Sequence, residues 1–241
     1  NEEEPHSILL FFHGGGWVTG NIASYSNLCA NLAIATNQTV ISVDYRLAPE
    51  FKCPTAVEDC YAVTKELFTT DVLNIDKNNI TIIGDSAGGN LAAAVSLLAR
   101  DEGEFLPSKQ ILLYPVMGND YSENSPFESV KTNGTDYLLT SKRINDMLEL
   151  YRSSELDLEN PYFSPIVSSD FSNQPKTLII TSEYDPLRDE GEFYGKKLLE
   201  NGNDVSIYRI KDSLHGFMSL PPNSKHVKEA YCIINDFLNE R

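Results

Sequence analysis

The sequence predicts an α/β fold: a mainly parallel sheet with helices on both faces. Three observations predict it. Short aliphatic and β-branched runs alternate along the chain with stretches of helical periodicity. Those short runs are continuously apolar, as in strands covered on both faces, rather than alternately apolar and polar. And 241 residues, 41% hydrophobic and 22% charged, suit one α/β unit and exclude a wholly disordered chain.

The elements follow in order. Ile8–Phe12 is a strand closed by His13-Gly14-Gly15-Gly16, and Tyr25 to Ala35 spaces Leu28, Leu32, Ile34 and Ala35 as a helix does. Thr39–Val43 is a β-branched strand, and Thr55-x-x-Glu58 reads as a capping box opening a helix through Phe68. Ile80–Ile83 is a strand, and a small-residue helix runs from Ser86 to Arg100. Gln110–Tyr114 is a strand ended by Pro115, Lys176–Thr181 a strand followed by a helix over Arg188–Glu200, and Val205–Ile210 a last strand before a helix over Ser224–Leu238. Six strands result. Met117 to Ser169 breaks the rhythm: it is rich in Asn, Ser, Tyr and Pro, with one clear helix near Ser141–Tyr151. So long an excursion between two strands predicts a lid or binding insertion. The expected organisation is a core over 1–116 and 170–241 with a cap over 117–169. Glu2–Glu4 is expected to be a solvated tail, and Lys109 belongs to no basic cluster.

Composition narrows the function classes. The net charge of −16 argues against phosphate backbones or anionic lipid as partners held by bulk charge. The longest apolar runs, such as Ile8 to Phe12 and Leu91 to Val95, fall far short of the ~20 residues that span a bilayer. The four cysteines, Cys29, Cys53, Cys60 and Cys232, form no CxxC and no zinc-type cluster, so they read as free thiols of a reducing, cytoplasmic setting. Three Asn-x-Thr triplets, at Asn37, Asn79 and Asn133, arise easily in an Asn-rich chain and are not read as a sign of secretion. The chain opens at Asn1 rather than Met and enters a strand within seven residues, which suggests a trimmed N-terminus.

The chemistry concentrates in four places. Gly84-Asp85-Ser86-Ala87-Gly88 sits where a strand turns sharply into a helix. Glycines two before and two after Ser86 let strand and helix approach, the turn lifts the hydroxyl clear of the sheet, and the Ala87 N–H faces the site from a helix N-terminus. A serine hydroxyl needs a base. Of the four histidines, His6 is near the terminus and His226 is expected on the surface of the last helix. His13 is read as orienting its loop, and His215, in the loop after the last strand, is the expected base. Asp185, after the strand Lys176–Thr181, is the expected carboxylate partner of the base, with Glu183 and Asp189 as competitors. The glycines after His13 supply amides for an oxyanion hole, assigned to Gly14 and Gly15 beside Ala87. A phosphate loop is disfavoured, since the P-loop Lys and the G-x-G-x-x-G spacing are lacking. Trp17, Tyr114 and Phe217 are candidate walls of a substrate pocket and equally candidate core residues.

These residues resemble the hormone-sensitive-lipase-like branch of the α/β-hydrolases, also called the bacterial family IV esterases. The matching blocks are His13-Gly14-Gly15-Gly16-Trp17, Asp44-Tyr45-Arg46-Leu47-Ala48-Pro49-Glu50, Gly84-Asp85-Ser86-Ala87-Gly88-Gly89-Asn90 and Asp185-Pro186-Leu187-Arg188-Asp189-Glu190-Gly191, with His215-Gly216-Phe217 as a shorter fifth. The resemblance implies an α/β-hydrolase fold and a carboxylic ester hydrolase. It implies Ser86 as nucleophile, Asp185 and His215 as its partners, and the Gly14, Gly15 and Ala87 amides as the hole. It also implies that Asp44–Glu50 is structural, where a buried Arg46 held by carboxylates would fit. Members of the family carry an eight-stranded core and an N-terminal segment that supplies two strands and part of the cap, so a six-stranded core with a partial helical cap is expected here. The expected partner is a small, short-acyl ester, with no nucleic acid, no membrane span, no metal and no organic cofactor; a homodimer is a possible assembly. The rivals are an amide, formamide or peptide hydrolase on the same triad and a catalytically inactive ligand-binding relative.

Overall fold

The structure, a computed structural model, describes residues 6–71, 73 and 75–240. The Glu2–Glu4 run lies outside the described residues. Six strands appear among them: β1 (His6–Phe12), β2 (Thr39–Val43), β3 (Ile75–Asp85), β4 (Lys109–Leu113), β5 (Lys176–Tyr184) and β6 (Val205–Leu214). They form one sheet in the order β2-β1-β3-β4-β5-β6, parallel throughout. The strand cores fall where the apolar runs predict. The structure extends β3 five residues upstream and carries β6 four residues past Ile210, the latter through polar residues that periodicity does not mark.

Alternate residues of each strand serve different cores, because successive side chains point to opposite faces. Leu10, Phe12, Ile82 and Leu112 pack with α2 (Thr55–Thr69) and α3 (Ala87–Glu102), together with Tyr194 and Leu198 of α6 (Arg188–Glu200). Leu9, Phe11, Ile83 and Leu113 pack on the other face with Leu32 of α1 (Ile22–Thr36) and with Val227, Ala230 and Ile234 of α7 (Lys225–Asn239). Both faces are therefore covered, which explains why the strands are apolar without interruption.

Several local expectations are corrected. Thr55 is already the first helical residue of α2; Pro54 occupies the cap position with no side-chain bond, so Thr55 and Glu58 form no capping box. The capping box sits instead on α1, where the Asn21 side chain accepts from the Ser24 N–H and the Ser24 hydroxyl accepts from the Asn21 N–H. Arg46 is exposed, not buried: its Nε and Nη2 donate to Asp59 at 2.9 and 2.7 Å. His226 lies on α7 but is half-buried, with its ring 6.4 Å from that of Phe217. Lys109 donates to the carbonyls of Phe237, Leu238 and Glu240, so it closes the last turn of α7, where cations suit the exposed carbonyls.

The excursion between β4 and β5 holds α4 (Glu128–Asn133), α5 (Ser141–Tyr151) and two short 3₁₀ turns, Glu155–Glu159 and Pro165–Val167. It is joined to the sheet by an aromatic stack. Trp17 lies on Tyr151 at 4.6 Å with planes 4° apart, and Phe163 stacks against both. The Cys53 N–H donates to the Tyr151 carbonyl at 2.8 Å beside the stack. Among the described residues no helix is long and apolar enough to cross a membrane.

Candidate active site

Parallel register places the chemistry on one edge of the sheet. Phe12 pairs with Gly84 and Asp85 with Leu113, so β1, β3 and β4 end together, while β5 and β6 run on along the same edge from the Leu113–Ile180 level to the pair Tyr184–Leu214. The loops that leave these ends carry the candidate residues, at the carboxyl end where open α/β sheets keep their sites.

Ser86 is the single residue between β3 and α3, with φ 54° and ψ −118°. Positive φ in a non-glycine residue is strained, and the surroundings must enforce it. A Cβ on Gly84 would strike the Gly88 carbonyl, and one on Gly88 would strike the Phe12 carbonyl. The two glycines therefore allow the crossing that holds Ser86 in this conformation. The Ser86 N–H donates to Leu113 O at 2.9 Å and its carbonyl accepts from the Val116 N–H at 3.2 Å, which ties the turn to β4.

His215 follows β6 directly. Its Nε2 lies 3.0 Å from Ser86 Oγ and its Nδ1 2.7 Å from Asp185 Oδ2. Asp185 is fully buried, and its other oxygen accepts from the Leu187 N–H at 3.0 Å. The competing acids are occupied elsewhere. Glu183 accepts from the Asp212 N–H, and Asp189 binds the Arg188 guanidinium and the Ser129 N–H. The Asp185 loop is braced from α4: Asn133 Nδ2 donates to the carbonyls of Glu183 and Asp185, each at 3.3 Å, and Ser129 Oγ donates to Pro186 O at 2.8 Å.

The glycine loop departs from its expected role at one position. The Gly14 N–H donates to Asp85 Oδ1 at 2.7 Å, so it is not offered to the cavity. Asp85 is buried and needs donors: Tyr25 supplies its hydroxyl to Oδ2 at 3.2 Å, and burial still pushes the carboxyl up to about 6. Gly15 and Gly16 line the cavity beside Ser86 and have φ of 116° and 62°, where a side chain would be strained. The amides of Gly15, Gly16 and Ala87 find no acceptor among the described residues. His13 is buried, its Nδ1 2.8 Å from Gly14 O, with Tyr45 stacked on its ring at 4.3 Å and donating to its carbonyl. Burial lowers the His13 pKa, which favours the neutral ring of a loop-orienting residue.

A cavity of about 510 Å³ opens over Ser86 and His215. Of the three expected wall residues, only Tyr114 lines it, its ring edge-on to His215 at 4.9 Å. Trp17 lies in the core stack on Tyr151, and Phe217 is buried behind Tyr114. Leu138, Leu139, Arg143 and Met147 from the excursion form the facing wall, with Tyr25 and Leu28 from α1. No motif marks these residues, since their spacing fits any amphipathic helix and its approach. Asp85 could have been found: it lies inside the block around Ser86 and is the one charged group there.

A strand–serine–helix turn on an open parallel sheet, with an acid and a histidine at two later strand ends in that chain order, is the architecture of an α/β-hydrolase. A family model described as alpha/beta hydrolase fold matches residues 9–219. An arylesterase of Saccharolobus solfataricus is 40% identical over 223 residues, which cover 92% of this chain and 72% of that protein. The carboxylic ester hydrolase LipN of Mycobacterium tuberculosis is 38% identical over 88% of this chain, which spans 57% of its length. The solved structure of a hyperthermophilic esterase from the archaeon Pyrobaculum calidifontis superposes with a TM-score of 0.91 at 38% identity, covering 99% of this chain and 78% of that one. The chain belongs to the α/β-hydrolase family, in its hormone-sensitive-lipase-like branch.

Proposed function

We propose that the chain is a serine carboxylic ester hydrolase that acts on small, short-acyl esters through an acyl-enzyme. The observation that carries this reading is the continuous relay Ser86–His215–Asp185, at 3.0 and 2.7 Å, beside three unpaired amides. Ser86 Oγ attacks the ester carbonyl while His215 Nε2 takes its proton. Asp185 holds the Nδ1–H tautomer and stabilises the imidazolium. The oxyanion is received by the N–H groups of Gly15, Gly16 and Ala87, each such donor being worth about 3–4 kcal/mol. His215 then protonates the leaving alcohol, and water activated by the same nitrogen releases the acid. Segment 117–169 acts as the cap, supplying the wall of Leu138, Leu139, Arg143 and Met147. The relatives named arylesterase and carboxylic ester hydrolase support ester rather than amide chemistry. Four free thiols suit a cytoplasmic setting.

The test is covalent. A fluorophosphonate probe should label Ser86 stoichiometrically, and Ser86→Ala should abolish labelling and lower kcat on 4-nitrophenyl acetate by about 10⁴-fold or more. Activity surviving in Ser86→Ala sinks the assignment. Across a 4-nitrophenyl ester series the optimum should fall at short acyl chains; a peak at long chains overturns the substrate class.

A further inference from the structure

Hydrolysis of a neutral ester makes no use of Arg143, yet this residue lines the cavity with Ser86 and His215. It stands on the first turn of α5, with Met147 one turn further on the same face. Its situation differs from that of the other described arginines. Arg46, Arg100, Arg152, Arg188 and Arg209 each meet an aspartate or glutamate oxygen within 2.8 Å. Arg143 has no carboxylate partner among the described residues, in a chain whose net charge is −16. Both acids on its own helix are taken, Asp146 by Lys142 at 2.6 Å and Glu149 by Arg152 at 2.7 Å. The first turn of α5 carries no acid and is capped by the neutral Thr140 hydroxyl, so the positive end of the helix adds to the guanidinium instead of being offset. The other ionisable groups lining the cavity are Asp85, already bonded to Gly14 and Tyr25, then His215 and the phenols of Tyr25 and Tyr114.

We propose, building on the ester-hydrolase reading above, that Arg143 determines specificity and that the cavity takes esters bearing a second, anionic group. A carboxylate remote from the scissile bond fits best, as in the monoester of a short dicarboxylic acid. The planar guanidinium can donate two parallel N–H bonds to both carboxylate oxygens. Leu139 and Met147 offer apolar surface to a short methylene chain between the two ends of such a molecule. A volume of about 510 Å³ suits a small ligand of this kind. The reaction consumes one water and releases the alcohol, the dicarboxylate and one proton, with the acyl–oxygen bond broken at Ser86.

Two measurements test this. The first is calorimetric binding of monoethyl glutarate to Ser86→Ala protein and to the Ser86→Ala, Arg143→Met double variant. Affinity should fall about tenfold in the double variant and, in the single one, weaken as salt is raised; equal affinity in the two overturns the proposal. The second is the ratio of kcat/KM for mono-4-nitrophenyl glutarate over the neutral 4-nitrophenyl pentanoate. That ratio should exceed one in the native protein, drop about tenfold in Arg143→Met and recover in part in Arg143→Lys; a ratio unmoved by Arg143→Met overturns the proposal. Failure of the ester-hydrolase reading looks different: both esters stay inert and Ser86 goes unlabelled, while the calorimetry still decides on Arg143.

Discussion

Asp85 sits one residue before Ser86 and never touches the relay, yet it anchors the glycine loop. Its carboxylate takes the Gly14 N–H at 2.7 Å, which orients the next two peptides so that Gly15 and Gly16 are left facing the cavity. Asp85→Ala should therefore lower kcat about 10²-fold with little change in KM, because the loosened amides matter most in the transition state. Asp85→Asn, whose amide oxygen can still accept from Gly14, should retain most activity. Equal falls in kcat for both variants, or a change confined to KM, would rule this role out. That Ser86, His215 and Asp185 come together is legible in the sequence, because backbone geometry and strand position constrain them. Gly14 departs from the expected role for a physical reason: sequence shows where glycines are, but the direction of an N–H depends on a competing acceptor 71 residues away. Trp17 was equally ambiguous, since its stacking partner Tyr151 lies on a distant helix.

Among the described α-helices, α4 is the one periodicity could not show. Six residues carry too little pattern, and its buried Ser129 and Asn133 side chains are spent on neighbouring backbone. Ser129 and Asn133 from this helix hold the peptides around Asp185, so the excursion supports the acid as well as walling the cavity. Asn133 is buried, and its amide nitrogen is committed to the carbonyls of Glu183 and Asp185. Asn133→Ala strips the donors from two carbonyls and leaves a small void. It should lower Tm by several degrees and kcat about tenfold, read from a melt and from steady-state kinetics. A melt shift with unchanged kcat would make α4 a stabilising element only. Elsewhere the strand cores were legible because both faces are buried, whereas the polar tail of β6 that delivers His215 carries no such signature.

At the scale of the molecule, Glu190 joins α6 to the root of the excursion. Its Oε1 accepts from the N–H groups of Met117 and Gly118 and from the Tyr121 hydroxyl, and the residue is fully buried. Burial outweighs these donors and pushes its carboxyl up to about 7. The folded state then holds this proton more tightly than the unfolded chain, so the stabilisation is complete below about pH 4.5 and fades as pH rises through 7. Glu190→Gln keeps the accepting oxygen and removes the titration. Between pH 5 and 8 the native protein should lose Tm relative to Glu190→Gln, and parallel Tm profiles would exclude the effect. The spread of the relay along the chain has a kinetic consequence. Ser86 and His215 are 129 residues apart and meet only when β6 has docked on β5. Non-local pairings of this kind form late in folding. Recovery of turnover after dilution from denaturant is thus a clock for closure of that edge, and it should lag behind the return of helical circular dichroism.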